Sequence, residues 1–209
     1  MRRIIWGRKT SSNVMKVLWA AGELDLPYER IDVGGSFGKT DTPDYRAMNP
    51  NGLVPTLQED EFTLWESNVI CRYLYQAYAP GSPMWPQDAR ARANIDRWMD
   101  AQQTTLNRPM TAVFWGLVRT APEKRDMAAI GQAIQDTAKV LGIIEAQVSR
   151  HAYVAGPEFT LADIPWGVHA HRWFNMEFDR PNLPGLRAWY DRLCERPAYR
   201  EHISSQPVV

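Results

Sequence analysis

Asn49-Pro-Asn-Gly-Leu-Val-Pro-Thr-Leu57 and, a few residues on, Phe62-Thr-Leu-Trp-Glu-Ser-Asn-Val-Ile-Cys-Arg-Tyr-Leu74 decide how this 209-residue chain folds. Val54–Leu57 and Phe62–Trp65 are short apolar runs on either side of the charged turn Glu59-Asp60-Glu61, which is the pattern of a hairpin. From Ser67 the period changes. Ile70, Tyr73, Leu74 and Ala77 recur at the three- and four-residue spacing of a helix with one buried face. Pro55 cannot donate to a sheet, so at the head of a strand it marks either an edge position or a cis peptide, and the residues alone leave both open. Ser67 lies between a strand and a helix and reads as an N-cap. A helix N-terminus there suits a carboxylate ligand.

Upstream, residues 3–6 (RIIW) read as a buried strand, and Val14, Val17, Leu18 and Ala21 as the inner face of a helix. Tyr28–Val33 forms a second strand, parallel to the first through a right-handed crossover. Gly34–Asn51 is a polar loop with one helical turn near Asp44–Met48. The order is β-α-β-loop-β-β-α. Downstream, residues 79–88 (APGSPMWPQD) have linker composition. Beyond them every pattern is helical: Ala91, Ile95, Trp98, Met99 and Gln102 share one face, Ile130 to Val148 hold a long 3/4 spacing, and Leu186, Trp189, Tyr190 and Leu193 do the same. The expected fold is therefore an α/β domain over 1–77, a linker over 78–87 and an all-helical domain over 88–209. Thr160-Leu-Ala-Asp163 is a capping box with Phe159 and Ile164 as its staple, and Pro165 predicts a bend or irregular turn there.

Lys+Arg and Asp+Glu both number 24, so the net charge is zero and no basic stripe points to nucleic acid or a membrane as partner. Cys71 and Cys194 lie in apolar helical patterns and read as buried thiols, too few for a disulfide scaffold. There is no C-x-x-C after the first strand, which excludes a dithiol oxidoreductase. Histidines 151, 169, 171 and 202 lack metal spacing, so no metal is expected, and His169 and His171 point to different sides of a helix. The opening MRRIIWGRKT has too short an apolar run for an export signal, and the cytoplasm is the expected location.

Asn49–Leu57 followed by Trp65–Leu74, with TSSNVMKV at Thr10–Val17 upstream and FTLADI at Phe159–Ile164 downstream, resembles the cytosolic glutathione transferases. The similarity is closest to the bacterial, theta-like and nu-like branches and covers essentially the whole chain. It implies a thioredoxin-like N-terminal domain, an all-α C-terminal domain, glutathione as co-substrate and a homodimer. It further implies that Pro55 is cis and that the Val54 backbone pairs with glutathione like an added strand. Glu66 and Ser67 would hold the γ-glutamyl amine and carboxylate, and Lys39 the glycine carboxylate. Gln102 would reach the other subunit's γ-glutamyl group. Aligned on Val17, the family's catalytic hydroxyl falls on Ser11, with Ser12 left to cap the helix and the Asn13 amide also near the sulfur.

Lowering a thiol pKa of about 8.5 by two units needs roughly 2.7 kcal/mol, which a hydroxyl donor and a helix N-terminus can supply. Met110, Phe114, Trp115 and Trp166 are candidate walls of the second-substrate pocket. The implied reaction is attack of glutathione thiolate on an electrophilic, mostly apolar small molecule. Glutathione-dependent disulfide reduction or isomerisation, and a non-catalytic binding module, are the alternatives.

Overall fold

The computed structural model of the chain describes residues 2–209. Strand β1 (Arg3–Trp6) is followed by α1 (Ser12–Glu23), β2 (Glu29–Ile31), the short α2 (Pro43–Met48), β3 (Thr56–Glu59), β4 (Phe62–Trp65) and α3 (Ser67–Tyr78). The sheet order is β2-β1-β3-β4, with β1 parallel to β2 and antiparallel to β3. The order of elements along the chain and the parallel β1–β2 pair are those expected from the sequence, and the sheet is thioredoxin-like. Among the described residues, the sheet draws on nothing beyond Trp65.

One open reading is decided and one changes. β3 begins at Thr56 and lies between β1 and β4, so Pro55 is not at an edge. The Val54–Pro55 peptide is cis. Ser67 is the first residue of α3 rather than its cap; Glu66 holds the cap position, at φ 72° and ψ 108°, without a side-chain capping bond.

The helical part begins with α4 (Ala89–Ala101), which runs through a wide turn at Gln102–Leu106 into α5 (Asn107–Phe114). Pro109 withholds an N–H that would reach back into that stretch, a recognised cause of such widening. A second wide turn, Trp115–Arg119, ends the run. Then come α6 (Met127–Val148), α7 (Asp163–Asn175), α8 (Pro184–Cys194) and the short α9 (Pro197–Tyr199).

α1 joins the two parts because it is apolar nearly all round. Trp19 is fully buried, 4.7 Å from the Tyr199 ring and 5.5 Å from the Phe159 ring. Helix α7 comes this close because residue 167 is glycine: a Cβ there would lie 2.8 Å from both Trp19 and Leu193. The Glu23 carboxylate receives the Trp19 indole N–H and the Arg196 guanidinium, tying α1 to the chain's last helices.

Asp163 does more than close a capping box. Its carboxylate is fully buried and accepts the Thr160 and Val154 N–H groups at 2.9 Å and the Trp189 indole N–H at 3.0 Å. Burial nevertheless raises its pKa to about 6. Thr160 Oγ1 in turn accepts the Ala162 N–H. Helix α7 is unbroken at Pro165: the proline falls in its first turn, where its missing N–H is one of the donors a helix leaves free anyway. Cys71 is buried, but Cys194 is only half-buried.

Candidate functional site

The register of the sheet puts the end of β1, the start of β3 and the end of β4 together, since Trp6 pairs with Thr56 and Thr56 with Trp65. From this one end the chain enters α1 and α3, so two helix N-termini face the same space. Gly7 lets the first of these turns close, because a Cβ there would stand 2.4 Å from Val14 Cγ2 and 3.3 Å from Val54 Cβ. Ser11 occupies the N-cap position of α1 at φ −77° and ψ 125°, yet its hydroxyl makes no capping bond. Ser12, expected to be the cap, is instead the first helical residue.

Across from Ser11, the approach to Val54 is fixed by buried polar groups. The Asn49 amide donates to the Leu53 carbonyl at 2.9 Å and to Thr56 Oγ1 at 3.2 Å, and the Tyr45 hydroxyl donates to the same carbonyl at 2.8 Å. Among the described residues, neither Val54 N–H nor its C=O is taken up by a backbone hydrogen bond of the fold. On the third side, Ser67 Oγ donates to Asn13 Oδ1 at 3.4 Å. Asn13 therefore keeps its NH2 group for a ligand. Glu66 holds a left-handed φ that few non-glycine residues adopt, a conformation costing on the order of 1–3 kcal/mol.

These segments line a cavity of about 880 Å³. Ser11, Asn13, Val54, Pro55, Glu66, Ser67, Phe114 and Trp115 are at its wall, as the sequence suggested. Four other candidates are elsewhere: Lys39 is exposed on the loop, Met110 is fully buried core, Trp166 is core with its indole N–H on the Trp98 carbonyl, and Gln102 is fully buried. Gln102 Oε1 accepts Lys16 Nζ at 2.7 Å, and Gln103 lines the cavity instead. His169 and His171 are both buried, bonded to the Pro165 and Gln206 carbonyls, and neither reaches the cavity.

Sequence reasoning missed Arg8, Arg119 and Arg172, all at the wall. Arg172 stands 4.1 Å and Arg119 5.5 Å from the centre of the Phe114 ring. Burial, then the charges of Arg8 and Arg119, lower the Arg172 pKa to about 10. Burial and Arg119 lower that of Arg8. Behind them, Lys16 is wholly buried on α1; burial and Arg172 bring its pKa down to about 7 against the opposing pull of Cys71 and Glu66. Burial pushes the Cys71 thiol up to about 12, which leaves it inert. Groups of acidic, histidine and cysteine side chains able to hold a metal ion are absent among the described residues. No helix among them is long and apolar enough to cross a membrane.

Two family models cover most of the chain: "Glutathione S-transferase, N-terminal domain" matches residues 10–77 and "Glutathione S-transferase, C-terminal domain" residues 106–197. The chain belongs to the glutathione S-transferase family. The transferase is 40% identical over 201 residues to glutathione S-transferase GstB of Escherichia coli K12, covering 95% of this chain and 96% of the relative. It is 31% identical to glutathione S-transferase 3 of Zea mays, over 98% of this chain and 94% of that one. In structure it is similar to the glutathione-bound theta class glutathione S-transferase of Xanthomonas axonopodis pv. citri, with TM-score 0.95, 45% identity and 99% of each chain covered. Poplar glutathione transferase F1 superposes with TM-score 0.84 at 28% identity, over 96% of each chain. The protein is thus a glutathione transferase enzyme with glutathione as co-substrate.

Proposed function

We propose that this transferase activates the glutathione sulfur with the Ser11 hydroxyl and directs the thiolate at an electrophile bound between Phe114 and Trp115. The observation that carries this is the position of Ser11: a helix N-cap whose hydroxyl is not used for capping, on a cavity wall shared with Val54 and Ser67. A hydroxyl free to donate, close to the partial positive charge of a helix N-terminus, favours thiolate over thiol. Glutathione extends along Val54, whose backbone groups are open to an added strand. Its γ-glutamyl end meets Glu66 and the N-terminus of α3 at Ser67. With Lys39 away from the cavity and Asn49 tied to Leu53 and Thr56, Asn51 and Ser36 are the polar side chains of that loop at the wall for the glycine end.

The thioredoxin-like part comprises residues 1–77 and the helical part 88–209 in this reading, and the enzyme works as a cytoplasmic homodimer. The free Ser11 hydroxyl at the cavity wall favours conjugation, while the Asn13 NH2 group, left open when Ser67 bonds its carbonyl oxygen, keeps disulfide reduction as the second reading. Calorimetric titration with glutathione, combined with thiolate absorbance against pH, tests the proposal. Stoichiometric binding with a thiol pKa about two units below 8.5 is expected. Binding with an unshifted thiol would refute thiolate activation.

A further inference from the structure

We propose that the second substrate of this transferase carries an anionic group, a carboxylate or sulfonate on an otherwise apolar electrophile, and that Arg119, Arg172 and Arg8 receive it. The inference rests on the proposed reading of Ser11 and Val54 as the glutathione side of the cavity.

Three guanidiniums meet at one wall, from the loop after β1, the turn after α5 and the last turn of α7. None has a carboxylate within ion-pair distance among the described residues. Other arginines drawn into the fold are answered by it: Arg3 by Glu59, Arg72 by Asp96 and Asp100, Arg196 by Glu23, and Arg125 and Arg192 by backbone carbonyls. Around the cavity the charges acting on Arg172 are instead those of Arg8 and Arg119, like charges held together. The one acidic side chain at the wall, Glu66, stands at the head of α3 beside Ser67. Such an arrangement is relieved by an anion, and a guanidinium offers that anion a planar pair of donors.

The surroundings define the rest of the ligand. Phe114 lies under both Arg119 and Arg172, and Trp115, Phe37 and Leu53 line the same cavity with exposed apolar faces. A flat apolar body set on these faces would place an acidic substituent among the guanidiniums. Arg119 and Arg172 belong to the helical part, whereas the glutathione-side residues Ser11, Val54, Glu66 and Ser67 belong to the sheet part, so the two sites divide the cavity between them.

The test pairs 4-chloro-3-nitrobenzoate with 4-chloro-3-nitrobenzamide. In both, the glutathione sulfur bonds to the ring carbon bearing chlorine, the nitroarene holds the electron pair, and the carbon–chlorine bond breaks to release chloride. The thiol proton has already gone to solvent. After dividing each kcat/KM by the uncatalysed rate, the benzoate is expected to be preferred tenfold or more. In Arg119→Gln, an exposed position that leaves folding intact, the preference should fall toward one.

The affinities of the two finished glutathione conjugates, measured by calorimetry, give a second readout that does not depend on turnover. The carboxylate conjugate should bind at least tenfold tighter, and Arg119→Gln and Arg172→Gln should abolish the difference. Equal affinities with no benzoate preference overturn the inference. So does a parallel fall of both substrates in the variants, which would give the arginines to the thiolate, or a loss of glutathione affinity, which would give them to its glycine carboxylate. A difference in conjugate affinity without turnover of either substrate would keep the anion site and refute thiolate activation instead.

Discussion

At the end of the sheet where β1 starts and β3 stops, the buried Arg3 guanidinium bonds Glu59 at 2.6 Å and the Pro27 carbonyl at 2.9 Å, and the Tyr73 and Tyr78 hydroxyls bond the same carboxylate. At the opposite end, Arg8, Arg119 and Arg172 share a cavity without an acidic partner in reach. Both sets of arginines sit against aromatic rings, Arg3 on Tyr78 and Arg172 on Phe114. The difference is in what satisfies the charge. A charge answered inside the fold holds β1 to β3 and to α3; a charge left unanswered at a cavity wall awaits a ligand. Burial raises the Glu59 pKa, but its hydrogen bonds from Tyr73, Tyr78 and Arg3 outweigh that and leave it below the usual value.

The comparison breaks first at the paired end. Glu59→Leu strands a buried guanidinium, and a loss of about 3–5 kcal/mol in urea unfolding is expected. A loss below about 1 kcal/mol would mean that the cluster is not the clamp it looks like.

Lys16 tests the cost of a cation without an acidic partner in the interior. Facing it are Cys71 from α3, Glu66 at the head of α3, and Arg172 and His169 from α7. In the folded protein it gives up its proton near pH 7, while in the unfolded chain it holds it to about 10.5. Between these values the unfolded state binds more protons, so stability should rise with pH across that window. Replacing Lys16 with methionine should flatten the rise, with the two proteins diverging most below pH 7. Parallel stability curves would show that the amine stays charged inside the fold.

At the cavity end, Ser11→Ala should raise the pKa of bound glutathione and slow conjugation at neutral pH roughly ten- to a hundredfold, the worth of one hydrogen bond to a charged group. Thiolate absorbance against pH in Ser11→Ala, Ser12→Ala and Asn13→Ala separates the three; a shift confined to Asn13→Ala would move the role there and favour disulfide reduction. The smallest effect sharpens the contrast most. Arg119→Gln should change stability by no more than about 0.5 kcal/mol, or raise it slightly, because it removes a repelling charge rather than a partner. A clear destabilisation would place Arg119 among the structural cations.

Much of this was legible because it depends on near neighbours. The period over Ile70–Ala77, the charged turn at Glu59–Glu61 and the proline after Val54 each specify local geometry. Gln102 is instructive: it lies just past α4, but its spacing from Ile95 and Met99 continues that helix's inward face, and it is buried with them as the periodicity says. Met110 and Phe114 lie one turn apart on α5, yet only Phe114 reaches the cavity, since depth along a helix does not show in its period.

By itself the sequence determined the α/β-then-helical order, the hairpin, the position of Ser11 ahead of α1 and the family. Spacing within a dozen residues is enough for such features, because helix, strand and cap are each decided by bonds between close neighbours. Only the tertiary structure decided that Arg8, Arg119 and Arg172 meet, that Asp163 holds Val154 and Trp189, and that Lys16 is sealed inside. Arg119 and Arg172 are far apart in the chain and come to the same ring because α7 packs against α5 and α1, made close by Gly167. Charge acts through space, and no local pattern records which distant residues a packed core will set side by side.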